Sequence, residues 1–188
     1  MCGIVGGVTE RNVVPILVEG LKRLEYRGYD SAGIAFQEQK KIALIKSLGR
    51  VQDLENKLNK NTSSTAGIAH TRWATHGIPS EKNAHPHVSN KNIYVVHNGI
   101  IENHEDLKSE LKSEGFKLYS QTDSEVIGHL IEFYKQRGMD FDSSVMKAIS
   151  RLKGAYALAV MDKNEPETLI GVRQSSPLVV GEGFDENF

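Results

Sequence analysis

The sequence is poor in cysteine and contains no long apolar run. Cys2 is the only cysteine among 188 residues, which excludes a disulfide within the chain. A free thiol is typical of proteins in a reducing compartment, so we expect a cytoplasmic location. A membrane-spanning helix needs about 20 consecutive apolar residues, and no apolar run approaches that length. The first residues also lack a basic segment followed by an apolar one, so no secretory signal is predicted.

Basic residues do not cluster anywhere in the chain. The formal net charge is −1 and the sequence pI is about 6.7, which argues against nucleic acid and anionic membranes as partners. The hydrophobic fraction of 39% and the charged fraction of 25% are ordinary for a globular protein. A chain of this length and composition is predicted to form one domain with its own core.

Seven histidines raise the question of a metal site. His85 and His87 are two residues apart, and His70 and His76 are six apart. No carboxylate or cysteine completes a zinc-binding set with them. We therefore expect neither a metal ion nor another cofactor.

Hydrophobic periodicity divides the chain into about eight strands and five helices. Strands are predicted over 2–8, 31–37, 40–48, 65–73, 92–101, 154–162, 168–174 and 178–183. Helices are predicted after Asn12, over 51–58, from Asn103 to about Gly115, after a capping-box pattern at 122–125, and over 143–152. Short connections between adjacent strands favour antiparallel sheets covered by helices, which is an α+β fold.

Two stretches between these elements carry chemical groups. Residues 74–91 have no periodicity, and loops of this length within a domain are often binding loops. Asn98-Gly99 follows an alternating strand, and taken alone this dipeptide predicts a tight hairpin turn.

Cys2 lies one residue from the amino terminus. Removal of Met1 would leave a thiol and a free α-amine on the same residue. An α-amine has a pKa near ~8, so a useful fraction accepts a proton at neutral pH. The thiol, with a pKa of about 8.5, is mostly protonated at pH 7 and benefits from such a base. The alternative is that Cys2 is a small apolar residue at the start of a buried strand.

Six motifs follow one another along the chain. They are CGIVGG at the amino terminus, LEYRGYDSAG (24–33), TRWATHG (71–77), NAHPHV (83–88), HNGIIEN (97–103) and TDSE (122–125). Their combination resembles the glutaminase domain of the glucosamine-6-phosphate synthase family, which belongs to the class II glutamine amidotransferases. The resemblance extends over residues 1–188 and implies an amino-terminal-nucleophile hydrolase fold, an αββα sandwich of two antiparallel sheets between helical layers.

The resemblance implies that this site cleaves the side-chain amide of glutamine. Cys2 would attack the amide carbon, form a γ-glutamyl thioester and release ammonia, with its own α-amine relaying protons once Met1 is gone. Asn98 and Gly99 would hold the tetrahedral oxyanion. Arg27 and Gly28 would lie near the nucleophile.

The resemblance also assigns the residues that hold the substrate. Arg72 would bind the α-carboxylate and Asp123 the α-ammonium of glutamine, while Thr75 and His76 would line the same pocket. Trp73 would help a loop to close over glutamine and gate the passage of ammonia. Other roles remain open: Arg72 as a surface arginine, Asp123 as a residue favoured by a helix start, Trp73 as a core anchor, and His76 as a structural residue.

The family enzyme contains more than this chain. In the family, ammonia is transferred to fructose 6-phosphate to make glucosamine 6-phosphate in a carboxy-terminal sugar-phosphate isomerase region, and the full-length enzyme is a homodimer. The chain contains nothing for that half, so we expect a truncated amidotransferase domain whose substrate is glutamine. Two alternatives remain open: the glutaminase half of another amidotransferase, and a domain that kept the fold without the chemistry.

Overall fold

The computed structural model describes residues 2–188 and contains five α-helices, ten β-strands and one short 3-10 helix within that range. Met1, on whose removal the nucleophile prediction depends, lies outside the described residues. No helix of the described part is long and apolar enough to cross a membrane.

The elements in chain order are β1 (Gly3–Thr9), α1 (Val14–Leu24), the 3-10 helix (Glu25–Arg27), β2 (Ser31–Glu38), β3 (Lys41–Leu48), α2 (Val51–Glu55), β4 (Ala66–Arg72), β5 (His87–Ser89), β6 (Ile93–Ile101), α3 (His104–Ser113), α4 (Glu125–Lys135), α5 (Phe141–Ile149), β7 (Gly154–Asp162), β8 (Leu169–Gln174), β9 (Glu182–Gly183) and β10 (Glu186–Asn187).

The strands form two sheets. The larger has the order β3-β2-β4-β1-β10-β9, and the smaller has the order β5-β6-β7-β8. Paired strands within both sheets are antiparallel, as the short connections predicted. β1, which follows Cys2, lies next to β4, which ends at Arg72.

Three apolar layers hold the two sheets and the helices together. Leu17 and Leu21 of α1 pack with Ile34 of β2 on the outer face of the larger sheet. Between the sheets, Ile68 packs with Val96. The helices α3, α4 and α5 cover the smaller sheet through a third cluster of buried side chains. The chain therefore has the predicted αββα arrangement of layers.

Helix α4 is the centre of the third layer. All ten residues from Glu125 to Tyr134 are buried. Because α4 contacts both the smaller sheet and α5, its apolar side chains lie on several sides rather than in one stripe. Each fully buried leucine or isoleucine contributes about 1.5–3 kcal/mol, so this helix is a large part of the domain's stability.

Two strand predictions differ from the structure. The stretch 74–91 is mostly without regular structure as predicted, but His87–Ser89 form β5 and pair with β6. The strand predicted over 178–183 is wrong except for Glu182–Gly183. Val179 and Val180 are 86% and 75% exposed, so these apolar, β-branched residues are not buried in a sheet of the described chain.

The capping predictions also need correction. At 122–125 no capping box forms, because the N-cap Ser124 makes no side-chain capping bond. Glu125 instead accepts hydrogen bonds from the backbone N–H groups of Tyr119 and Ser120. The N-cap of α1 is Val13 rather than Asn12, although the Asn12 side chain accepts a bond from the Val14 N–H. The Asn12 side chain also binds the loop before β4, where it donates to the Thr62 carbonyl and accepts from the Ser64 N–H.

Asn103 does precede α3, as predicted. Its side chain, however, donates to the carbonyl of Arg151 and accepts from the backbone N–H of Lys153 instead of capping the helix. The amide therefore fastens α3 to the loop before β7.

Candidate active site

A cavity of about 530 Å³ opens beside Cys2. It lies where the end of β4, the end of β6 and the start of α4 meet. Its lining contains every residue that the sequence assigned to the site, namely Cys2, Arg72, Trp73, Thr75, His76, Asn98, Gly99 and Asp123. Cys2 and Asp123, which are 121 positions apart in sequence, thus line the same cavity. Arg27 lines the cavity as well.

The thiol of Cys2 contacts the backbone of Trp73. The Trp73 N–H donates to the Cys2 sulfur at 3.2 Å, and the sulfur lies 3.5 Å from the Trp73 carbonyl oxygen. Partial burial raises the pKa of the Cys2 thiol, while the hydrogen bond from Trp73 opposes that increase. The thiol is therefore protonated at neutral pH, and a thiolate requires a base.

Asn98-Gly99 is not a hairpin turn. Both residues lie within β6, where Asn98 pairs with Ala157 and Gly99 pairs with Tyr156 of β7. Gly99 has φ +132°, and a Cβ at this position would lie 2.1 Å from the carbonyl oxygen of Ala155. Only glycine fits this distorted, exposed point of the strand. The hairpin turn that the dipeptide alone indicates is absent, and both residues belong to the strand predicted over 92–101.

The Asn98 side chain connects Cys2 to the interior. Its Nδ2 donates to the Cys2 carbonyl at 3.3 Å. Its Oδ1 lies 2.9 Å from Nε2 of His70 on β4. The amide is thereby held between the backbone of the predicted nucleophile and a buried histidine.

The guanidinium of Arg72 is buried and already engaged. One terminal nitrogen donates to the carbonyls of His76 and Gly77, at 2.6 and 2.9 Å. The other lies 3.3 Å from Oδ1 of Asp30. With three of its five N–H groups engaged, Arg72 has at most two left for a ligand. The same residue therefore shapes the 73–77 loop and faces the cavity.

Asp30 completes this arrangement. In addition to pairing with Arg72, it accepts hydrogen bonds from the Ala74 N–H and the Ser31 hydroxyl. Its carboxylate thus binds the start of the loop that carries Trp73, the hydrogen-bond partner of Cys2.

Asp123 is buried at the opposite wall of the cavity. Its Oδ2 accepts a hydrogen bond from the Ile101 N–H at 2.8 Å, and Oδ1 accepts one from Ser124 at 3.3 Å. Nδ1 of His76 lies 3.9 Å from Oδ1. A buried carboxylate with these partners places a negative charge on the cavity wall.

Trp73 and Thr75 are exposed at the cavity mouth. Trp73 is 53% exposed, so it is not the core anchor that remained open as an alternative. Its ring lies against Gly28, where φ is +96° and a Cβ would come within 2.4 Å of the ring. The close approach requires glycine at position 28.

The comparison with known families decides the identity of the fold. The family model described as a glutamine amidotransferase domain matches residues 70–184, more than half of the chain. The chain belongs to the glutamine amidotransferase domain family.

Curated relatives of this amidotransferase domain are longer proteins. The glutamine–fructose-6-phosphate aminotransferase (isomerizing) of Escherichia coli K12 is 52% identical over the whole of this chain. The protein of the same name from Idiomarina loihiensis is 53% identical. The chain spans 31% of the length of each of these relatives.

Solved structures share the fold of the amidotransferase domain. The glutamine phosphoribosylpyrophosphate amidotransferase of Bacillus subtilis matches all of this chain and 41% of its own, with a TM-score of 0.83 and 26% identity. A second structure, an allosteric regulatory enzyme of purine biosynthesis, matches 98% of this chain and 41% of its own, with a TM-score of 0.80 and 28% identity. The αββα sandwich is thus the amino-terminal-nucleophile fold of these amidotransferases.

Sequence reasoning missed two polar residues of the amidotransferase domain, the half-buried Asp30 and the fully buried His70. Asp30 lies within one of the motifs that carry the resemblance, but no role was assigned to it. His70 was considered only as a metal ligand. A signal was nevertheless present for His70, because it lies two residues before Arg72 on a strand and so faces the same side of the sheet.

Four histidines are buried around the inner end of the cavity: His70, His85, His87 and His97. The rings of His70 and His85 are 4.1 Å apart, and those of His85 and His87 are 4.5 Å apart. Burial lowers the pKa of His70 to about 3 and that of His97 to about 4, and it lowers those of His85 and His87 as well. These rings are neutral at pH 7. No group of three potential ligands among the described residues has a geometry that holds a metal ion.

Proposed function

We propose that this domain hydrolyses the side-chain amide of glutamine to glutamate and ammonia, with Cys2 as the nucleophile. The observation that carries the proposal is the common cavity of the Cys2 thiol, the Asn98 amide, the Arg72 guanidinium and the Asp123 carboxylate. Membership of the glutamine amidotransferase domain family supports glutamine as the substrate.

The reaction has two halves. The Cys2 sulfur attacks the amide carbon of glutamine, and collapse of the tetrahedral intermediate breaks the carbon–nitrogen bond and leaves a thioester. The departing nitrogen takes a proton and leaves as ammonia. A water molecule then cleaves the thioester, which gives glutamate and restores the thiol. Partial burial keeps the Cys2 thiol protonated, so both halves depend on a base beside the sulfur.

We assign that base to the α-amine of Cys2 after removal of Met1. The amine is attached to the Cα of the nucleophile, so it lies beside the sulfur without help from another element. Among the described residues, the hydrogen-bond partners of the sulfur are the N–H and carbonyl groups of Trp73, and neither is a base. An α-amine with a pKa of ~8 can accept and return a proton at neutral pH.

Asn98 and Gly99 form the proposed oxyanion hole. Asn98 Nδ2 lies 3.3 Å from the Cys2 carbonyl and so faces the reacting residue. Gly99 is exposed, and its backbone N–H would be the second donor. Two preorganised donors beside the sulfur would stabilise the charge that develops on the amide oxygen.

Arg72 and Asp123 supply opposite charges for the two ends of a free amino acid. The remaining N–H groups of Arg72 would bind the α-carboxylate, and the Asp123 carboxylate would bind the α-ammonium. Both side chains are buried, at 3% exposure each, so these contacts would form in a medium with little screening by water. Thr75, His76 and Trp73 would cover the bound substrate from the mouth of the cavity.

The role of the whole protein follows from its relatives. The relatives that are 52–53% identical are named glutamine–fructose-6-phosphate aminotransferases. We propose that the released ammonia passes to a carboxy-terminal isomerase region and converts fructose 6-phosphate to glucosamine 6-phosphate, in a cytoplasmic homodimer. The phosphoribosylpyrophosphate amidotransferase of Bacillus subtilis shares the fold but is only 26% identical, which makes that activity the second candidate.

The proposal is tested by glutamate release from glutamine in the full-length protein. Cys2→Ala removes the only thiol of this chain and should abolish release. Lys60→Ala, an exposed change far from the cavity lining, serves as the control and should leave the rate unchanged. Glutamate release by the Cys2→Ala variant at the wild-type rate would refute the assignment of the nucleophile. Supply of fructose 6-phosphate or of phosphoribosylpyrophosphate then distinguishes the two acceptors.

A further inference from the structure

We propose that His70 is a positioning residue that holds the Asn98 amide with its NH₂ group towards the reacting centre. The inference rests on the proposed function, because it concerns the oxyanion donor of that reaction. His70 itself does not line the cavity and touches no substrate position. It would act entirely through Asn98.

His70 occupies the middle of the sandwich. It lies on β4, is fully buried, and pairs in the sheet with Ile4 on one side and Gly33 on the other. Its ring crosses to the smaller sheet, where Nε2 lies 3.0 Å from the His97 carbonyl and 2.9 Å from Asn98 Oδ1. One ring nitrogen therefore contacts two consecutive residues of β6.

The His97 carbonyl determines which nitrogen of His70 carries the proton. A carbonyl oxygen can only accept a hydrogen bond, so Nε2 of His70 must be protonated to contact it. The same N–H is then shared with the Asn98 side chain, whose facing atom must also be an acceptor. This requirement places Oδ1 of Asn98 towards His70.

The opposite end of the Asn98 amide agrees with this orientation. Its Nδ2 faces the Cys2 carbonyl, another group that can only accept. Rotation of the amide by 180° would set Oδ1 against the Cys2 carbonyl and the NH₂ group against the His70 N–H. Both contacts would become repulsive, and the oxyanion would meet an acceptor in place of a donor.

The surroundings keep His70 in the required state. Nδ1 of His70 is buried and has no hydrogen-bond partner among the described residues. No acceptor there favours a proton on Nδ1 over a proton on Nε2. Burial holds the pKa of His70 at about 3, which keeps the ring neutral. A neutral ring with its proton on Nε2 is therefore a fixed donor.

The test separates positioning from simple packing with two substitutions in the full-length protein. His70→Leu has similar bulk but no donor, whereas His70→Gln offers a side-chain N–H in place of Nε2–H. For His70→Leu, we expect kcat for glutamate release to fall about 10- to 100-fold, as for other groups that orient a reactive residue, with little change in KM. His70→Gln should restore most of kcat.

A double substitution with Asn98→Ala provides the decisive comparison. If His70 acts through Asn98, His70→Leu should cause little further loss of kcat once the amide is gone. His129→Leu, which removes another buried histidine from outside the cavity lining, is the matched control and should leave kcat close to wild type. A full additional loss in the Asn98→Ala background, or wild-type kcat in His70→Leu, would overturn the inference.

A measurement on the unsubstituted protein keeps the test independent of folding defects. The ¹⁵N chemical shifts of histidine-labelled protein should show His70 protonated at Nε2 and bare at Nδ1. A proton on Nδ1 would overturn the inference. A wild-type protein without cysteine-dependent glutamate release would remove the proposed function and this inference together, whereas an active wild type with an unaffected His70→Leu variant removes the inference alone.

Discussion

Asp30 and Arg72 form an ion pair beneath the loop that contacts Cys2. Their side chains approach to 3.3 Å, and they are 15% and 4% exposed. Asp30 also binds the Ala74 N–H, while Arg72 binds the carbonyls of His76 and Gly77. The pair therefore fixes both ends of the segment that presents Trp73 to Cys2.

We expect Asp30→Asn to weaken both folding and substrate binding. The substitution leaves the buried Arg72 charge without its charged partner. Loss of a partner by a buried charged group lowers the free energy of unfolding by about 1–3 kcal/mol or more. Release of the 73–77 loop should also raise KM for glutamine. Thermal or urea unfolding and a glutamate-release assay measure the two effects.

Glu19→Gln is the control for Asp30→Asn. It breaks the exposed i,i+4 pair between Glu19 and Arg23, whose expected effect is below about 0.5 kcal/mol. If both variants unfold at the wild-type midpoint and bind glutamine equally well, the structural role of Asp30 is wrong.

Asn98→Ala should impair catalysis much more than folding. Loss of one oxyanion donor typically lowers kcat by about 10²–10³, or about 3–4 kcal/mol. The residue lies in a paired strand whose backbone ladder is unchanged by the substitution, so the unfolding free energy should change by only about 1 kcal/mol. Steady-state kinetics and urea unfolding of the same preparation give both values.

Gly99→Ala should impair folding as well as catalysis. A Cβ at this position would lie 2.1 Å from the Ala155 carbonyl in a backbone conformation that disfavours other residues, so the β6–β7 pairing must shift. Folding stability should fall clearly as well as activity. A stable Gly99→Ala variant with full activity would contradict the strand geometry described for β6.

The buried histidines predict a loss of stability in mild acid. The folded-state pKa values of His70 and His97, about 3 and about 4, lie below the unfolded value near 6.5. Below pH 6.5, the unfolded chain therefore binds protons that the folded protein does not, and stability decreases until the folded pKa values are reached. Each such histidine contributes a loss of about 2 kcal/mol between pH 6.5 and 5.

Urea unfolding at pH 7.5 and pH 5 measures this effect. Burial alone would raise the pKa of Glu125, but the hydrogen bonds from the Tyr119 and Ser120 N–H groups and the nearby His129 ring lower that pKa to about 2. Glu125 therefore contributes only below about pH 4.5, and the two pH windows are separate. His70→Gln should reduce the pH dependence. Equal unfolding free energies at the two pH values would show that the histidines titrate normally in the folded protein.

Local patterns in the sequence predicted most of the sandwich. Alternation identified the long strands, and the motifs identified residues that the structure brings into one cavity. The short strand His87–Ser89 was missed because three residues give too little alternation, and its pairing with β6 is a tertiary contact. The apolar pair Val179 and Val180 was misread because periodicity does not reveal exposure.

The local patterns at Asn98-Gly99 and at 122–125 mislead for a common physical reason. Asn98-Gly99 resembles a turn, and residues 122–125 resemble a capping box, because both patterns encode only local hydrogen bonds. In the structure, Asn98 bonds to Cys2 and His70, and Asp123 bonds to Ile101. These partners lie 22–96 residues away along the chain, a separation that no local pattern contains.

The central claim is that Cys2 acts as nucleophile with its own α-amine as the base. Intact-mass spectrometry divides preparations of the full-length protein into forms with and without Met1, and the same preparations are assayed for glutamate release. The account predicts that turnover follows the fraction that begins at Cys2, because an attached Met1 converts the base into an amide. Rapid turnover by protein that retains Met1 would contradict it.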